Sequence, residues 1–164
     1  MSPGRVVATG QLLRQTNYVA VEAISREAAH GAALLSKVLE VTLGELELSP
    51  SQYRLLVFLM DAPSAATSLA DRLDVTRPSL TALVDGLVAR GFVVREPDTQ
   101  DRRRVTHQIS EAGRDAVRRA DDAIQQSLGR LISHLPNGER DTARTGLETW
   151  LTAIVAAHAG RTSA

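Results

Sequence analysis

Along most of this chain the hydrophobic positions recur in steps of three and four, and in one short stretch the period shortens to two. Over residues 17–43, Ile24, Ala28, Gly31, Leu35, Val38 and Thr42 keep helical steps, and Ala32, Leu34 and Leu39 widen the stripe. That spacing predicts a long helix with a broad apolar face, ended by LGELE at 43–47. SPSQ at 49–52 opens the next helix: Ser49 caps, Pro50 suits the first helical position, and Gln52 completes a capping box. This helix is expected to reach about Met60, with Tyr53, Leu56, Leu59 and Met60 turned inward. After the break at DAPS, Ser64 is expected to cap a short helix ending near Leu73 and held by Leu69, Ala70 and Leu73. Thr76 caps the helix that follows, where Leu80, Leu83, Val84, Leu87 and Val88 form one stripe and Gly91 supplies the C-terminal glycine. Residues 64–90 thus read helix, tight turn, helix, the layout of a helix-turn-helix.

The period then drops to two. FVVRE at 92–96 and RVTHQIS at 104–110 are rich in β-branched residues, and PDTQDRR links them, which predicts a hairpin with a long loop. Ser110 and Glu111 start another long helix carrying Val117, Ala120, Ile124, Leu128, Leu131 and Leu135. LPNGE breaks it, and Asn137 caps a last helix with Leu147, Trp150, Leu151, Ile154, Val155 and His158 on one stripe. Residues 1–15 show no period and are expected to be flexible. The fold class is therefore mostly α with a small β hairpin. A winged helix-turn-helix lobe over 47–110 lies between helical segments 16–46 and 111–164, which are expected to form a dimerisation region.

Composition narrows the chemistry. Hydrophobic residues make up 43% of the 164 but aromatics only 3%, so Leu, Val, Ile and Ala must build the core. No cysteine is present, which excludes a disulfide framework and thiolate chemistry. The first fifteen residues lack the apolar run of a secretory signal, and no window is apolar enough to span a bilayer. A cytoplasmic protein without a membrane partner is expected. With 19 basic and 19 acidic residues the net charge is zero, so any nucleic-acid contact must rest on a few well-positioned cations.

Those cations are concentrated in one place. REPDTQDRRR, residues 95–104, holds four arginines and three acids. At a hairpin tip, Arg102, Arg103 and Arg104 can reach phosphates or a narrow minor groove, whose negative potential attracts arginine. Asp101 is spaced to hold the Arg103 guanidinium at a fixed angle. Taken alone, such a tip is most simply a solvated surface; it gains meaning by following a helix-turn-helix. On the helix opened by Thr76, the face opposite the Leu80 stripe holds Pro78, Ala82, Asp85 and Ala89, flanked by Ser79, Thr81 and Gly86. This face is small and nearly uncharged. It suits close approach to base edges, with Pro78 or Ala82 against thymine methyls and Ser79 or Thr81 as hydrogen-bonding groups. Arg77 is the cation of its first turn. The plainer alternative is an ordinary amphipathic helix with small surface residues.

Residues 48–113, with LADRLDVTRPSLTALVDGLVARGFVVR, the D-x-R of Asp101 and Arg103, and ISEAG, resemble the core of a MarR-family transcriptional regulator. The long flanking helices extend the resemblance over all but about the first fifteen residues. It implies a homodimeric winged helix that binds double-stranded DNA at a pseudo-palindromic operator, usually as a repressor, with release by a small, often aromatic or anionic effector. It assigns Asp101 and Arg103 to the wing pair, and Thr76, Arg77, Pro78, Ser79 and Thr81 to the start of the recognition helix. Many members carry a cation where this chain has Ala82 and Gly86. That difference shifts the expected contacts toward the wing, Arg77, and phosphate contacts from Thr67, Ser68 and Arg72, with Ser51 and Gln52 at the preceding helix start.

The dimer is also expected on physical grounds, because the terminal helices carry more apolar surface than a small lobe can bury. Ile24, Leu35, Leu147, Trp150, Leu151 and Ile154 are the expected interface, with Trp150 as anchor. Packing of the first helix on the last within one chain is the alternative. His30, His107, His134 and His158 form no metal-binding spacing, and no metal or cofactor is expected. A ligand pocket lined by His30 with Tyr18 or Tyr53 is the sharper reading of His30; a core or interface histidine is the commoner one. No nucleophile–base pair or phosphate loop suggests an enzyme. The adjacent Asp121 and Asp122 are expected to be solvated. The rival to DNA binding is a winged-helix protein-interaction module, toward which zero net charge leans.

Overall fold

The computed structural model describes residues 24–97 and 105–162, with side chains as far as Ala157. In order these form α1 (Arg26–Gly44), α2 (Pro50–Asp61), β1 (Ser64–Ala65), α3 (Ala66–Leu73) and α4 (Arg77–Ala89), then β2 (Val93–Pro97), β3 (Val105–Ile109), α5 (Glu111–Ser133) and α6 (Asn137–Thr162). The three strands make one antiparallel sheet in the order β1-β3-β2. The winged helix-turn-helix expected from the two periods is the fold observed.

Helix boundaries follow capping chemistry. Ser49 Oγ accepts from the Gln52 N–H while Gln52 Oε1 accepts from the Ser49 N–H, closing the capping box on both sides. At the other end of the lobe Ser110 Oγ accepts from Gly113 N–H at 3.0 Å and caps α5. α4 ends in a left-handed Gly91 (φ 70°), with Phe92 N–H donating to Leu87 O and Gly91 N–H to Val88 O, which turns the chain sharply into β2.

Three expectations are corrected. α1 begins at Arg26 rather than near residue 17, because Ser25 is extended and its side chain caps the Ala28 N–H. Ser64 does not cap α3; it lies in β1 paired with His107, and the helix starts from Ala65 without a side-chain cap. Met60 is 38% exposed, with Arg114 over its sulfur, so α2 turns Leu55 inward in its place.

The core gathers Leu55, Leu56 and Leu59 of α2, Leu69 of α3, Leu80, Val84 and Leu87 of α4, and Val93 and Ile109 of the hairpin. Burying each such leucine is worth about 1.5–3 kcal/mol. Val117 and Ala120 bring α5 into the same cluster, and Leu43 and Leu48 bring the end of α1. α1 and α2 both pack against α5, and α6 turns back along α5. Among the described residues no helix is long and apolar enough to cross a membrane.

Candidate nucleic-acid interface

α4 is fixed to the lobe through Leu80, Val84 and Leu87, all buried, and this sets what it shows outside. Arg77, Pro78, Ser79, Thr81, Ala82, Asp85 and Ala89 are exposed. Thr76 caps the helix by accepting from Ser79 N–H at 3.3 Å, and the Thr76 and Ser79 hydroxyls lie 2.8 Å apart. Thr81 Oγ1 donates to the Arg77 carbonyl at 3.0 Å. The positive end of the α4 dipole and the exposed Arg77 therefore sit together, a combination that attracts phosphate.

Gly86 faces inward to α2: a Cβ there would stand 3.5 Å from Gln52 Nε2. It is half-buried and does not belong to the outward face. Asp85 does, and it is bound by Arg95 of β2 in an ion pair that ties α4 to the root of the hairpin. Sequence reasoning missed this pair, which exists only because the Gly91 turn folds β2 back beside α4.

The hairpin is paired from Val93↔Ile109 to Pro97↔Val105. Asp101, Arg102 and Arg103, like Arg104, lie outside the described residues. At the hairpin root His107 is buried, and its Nδ1 lies 3.3 Å from the Ser64 carbonyl. Burial pushes the imidazole pKa down; the Ser64 bond opposes this and the Arg95 charge adds to it.

Among the expected phosphate contacts of the preceding helices, Thr67 and Ser68 are exposed on α3. Arg72 is turned back onto the body, stacked over Phe58 at 4.0 Å and paired with Asp61 at 3.4 Å. Ser51 takes a bond from Arg54, and Gln52 is held in its capping box. The partners of Arg72 lie on α2, a helix that sequence periodicity does not pair with α3.

Tyr18 lies outside the described residues. His30 is exposed on α1, while the Tyr53 hydroxyl donates to Asp121 Oδ1 at 2.5 Å across α2 and α5. Asp121 is therefore half-buried and bonded rather than solvated; Asp122 is exposed. Burial, then the Asp121 bond, pushes the Tyr53 pKa upward, so its phenol stays protonated. Neither His30 nor Tyr53 lines the groove of about 750 Å³ that runs between α1, α5 and α6. That groove is apolar and includes Ile24, Leu35, Leu147, Trp150 and Ile154. Trp150 is 56% exposed and Leu151, beside it, 63%. Among the described residues no group of His, Asp and Glu has metal-holding geometry.

The sequence pattern of the MarR family matches residues 46–104, from the end of α1 to the hairpin. The HTH-type transcriptional repressor YetL of Bacillus subtilis (strain 168) is 36% identical over 70 residues, covering 41% of this chain and 42% of that one. The chain thus spans less than half the length of this curated relative. Wild-type MarR of E. coli in its apo form aligns with TM-score 0.66 over 80% of this chain and 99% of that one, at 23% identity. The transcriptional repressor CouR bound to a 23-mer DNA duplex aligns with TM-score 0.62 at 26% identity, over 77% and 92% of the two chains. With the pattern matched over residues 46–104 and the fold shared with MarR over 80% of its length, this chain belongs to the MarR family.

Proposed function

We propose that the chain is a DNA-binding transcriptional regulator. It acts as a homodimeric repressor on a pseudo-palindromic operator and is released by a small aromatic or anionic molecule. The observation that carries this is α4: a capped helix with Arg77 in its first turn and a slim exposed face, held beside a paired hairpin. That is the geometry a major-groove reader needs, with the hairpin free to follow the phosphate backbone. Supporting it, YetL is named a repressor and CouR is described with DNA bound.

The contact residues are Arg77, Pro78, Ser79, Thr81 and Ala82 on α4 with its cap Thr76, Thr67 and Ser68 on α3, and Asp101, Arg102 and Arg103 at the wing. The groove between α1, α5 and α6 is the dimer interface, filled by the same groove of a second copy. Two-fold symmetry then sets two α4 helices about one DNA turn, roughly 34 Å, apart. An effector that alters this distance weakens binding, because both half-sites must be met at once.

The test is a footprint on the DNA flanking the protein's own coding region. The expected result is a two-fold symmetric protected site with half-sites one turn apart. Failure to shift any genomic fragment, even in dilute buffer, overturns the reading and favours a protein partner.

A further inference from the structure

We infer that α4 reads its half-site chiefly through thymine methyl groups, touched by Pro78 and Ala82, and not through guanine. This rests on the DNA-binding reading above and adds the chemistry of the operator.

Four outward residues of α4, at steps of four, three and four, meet the groove first: Pro78, Ala82, Asp85 and Ala89. A carboxylate in this position accepts from cytosine N4, and an arginine forks guanine O6 and N7. Both readers are present here and cancel each other. Asp85 is held by Arg95, and Arg95 is thereby kept at the hairpin root. The ion pair removes the acid that would repel phosphate and the guanidinium that would select guanine.

The remaining polar groups of the face are also engaged. The Ser79 hydroxyl lies against Thr76, and Thr81 donates to the Arg77 carbonyl. Gly86 is turned to Gln52 and offers the groove nothing. What is left at the surface is the pyrrolidine ring of Pro78 and the methyl groups of Ala82 and Ala89, all exposed; Pro78 and Ala82 lie in the N-terminal half of the helix, the half that enters the groove, and Ala89 is its last residue. The apolar group that the major groove offers is the C5 methyl of thymine. Arg77, the one cation of α4, sits in its first turn, where the helix end favours phosphate.

The test uses the full chain and the DNA fragment protected in the footprint. One probe replaces thymidine by deoxyuridine in both half-sites, which deletes methyl groups and leaves every hydrogen-bonding group in position. A second probe replaces guanine by 7-deazaguanine. Deleting one buried methyl group is expected to weaken binding about four-fold, so the first probe should bind more than tenfold worse. The second should cost less than the first. Ala82→Gly removes one methyl contact per protomer, so it should lose about four-fold per half-site, about sixteen-fold for the dimer, on thymine DNA and nothing further on the deoxyuridine probe. Unchanged affinity for the deoxyuridine probe, or a larger loss with 7-deazaguanine, overturns the inference while leaving operator binding intact. Absence of binding to the unmodified fragment overturns both.

Discussion

Gly113 shows how little room a single position can leave. A Cβ there would stand 2.2 Å from the Phe92 carbonyl oxygen and 2.8 Å from Ile109 Cγ1, so α5 can start against the hairpin root only with glycine. Gly113→Ala must push backbone from backbone. It is expected to cost about 2–3 kcal/mol, read as a lower urea midpoint; an unchanged midpoint would show that the junction yields. His107 gives the residue scale a pH dependence. Burial lowers its pKa from the ordinary 6.5, the Ser64 carbonyl bond works against this, and the Arg95 charge works with it. The unfolded chain therefore takes up the proton first. Its contribution to stability is full above about pH 7 and falls as pH drops through 6.5 toward the lower folded value. Between pH 7 and 5 the melting temperature of His107→Asn should fall less than that of the parent; parallel curves would remove His107 from the linkage.

At the scale of elements, helix starts were legible wherever a hydroxyl stood before an apolar run. Ser49 with Gln52, Thr76 and Ser110 all cap as their spacing predicts. Ser64 misled for the same reason: its capping chemistry is real, but a two-residue strand has no period to announce it, and pairing with His107 takes its backbone into the sheet. The partners of Asp85, Arg72 and Asp121 were not legible, since each lies on another element and depends on how those elements pack. The apolar stripe of α6 was legible, and its exposure is the finding. Leu147, Trp150 and Leu151 are 39–63% exposed, a cluster of large apolar side chains of the kind that marks an interaction surface. Trp150→Asp is expected to weaken self-association by about 2 kcal/mol or more and to give monomer by sedimentation equilibrium, with the lobe's helical signal retained. A dimer of undiminished strength would move the interface off this groove.

At the scale of the whole molecule, a chain with 19 basic and 19 acidic side chains has no general attraction for a polyanion. Within the lobe, Arg72, Arg90 and Arg95 are each bound to the protein's own groups, which lowers the number of cations that can meet phosphate further. The proposed contacts then reduce to Arg77 of α4 and Arg102 and Arg103 of the wing, doubled by the two-fold axis. Six neutralised phosphates predict a slope near −5 in log affinity against log salt, so binding should fall about a thousandfold between 50 and 200 mM salt. Arg103→Ala should reduce the slope by about 2, one phosphate contact per protomer, as well as weaken binding at every salt concentration. A slope near zero would mean that phosphate neutralisation does not hold this protein to its target, and the balanced charge would then be the signature of a protein partner. A steep slope that Arg103→Ala leaves unaltered would keep the DNA and take the wing out of the contact, leaving α4 to grip the duplex through Arg77 and the positive end of its dipole.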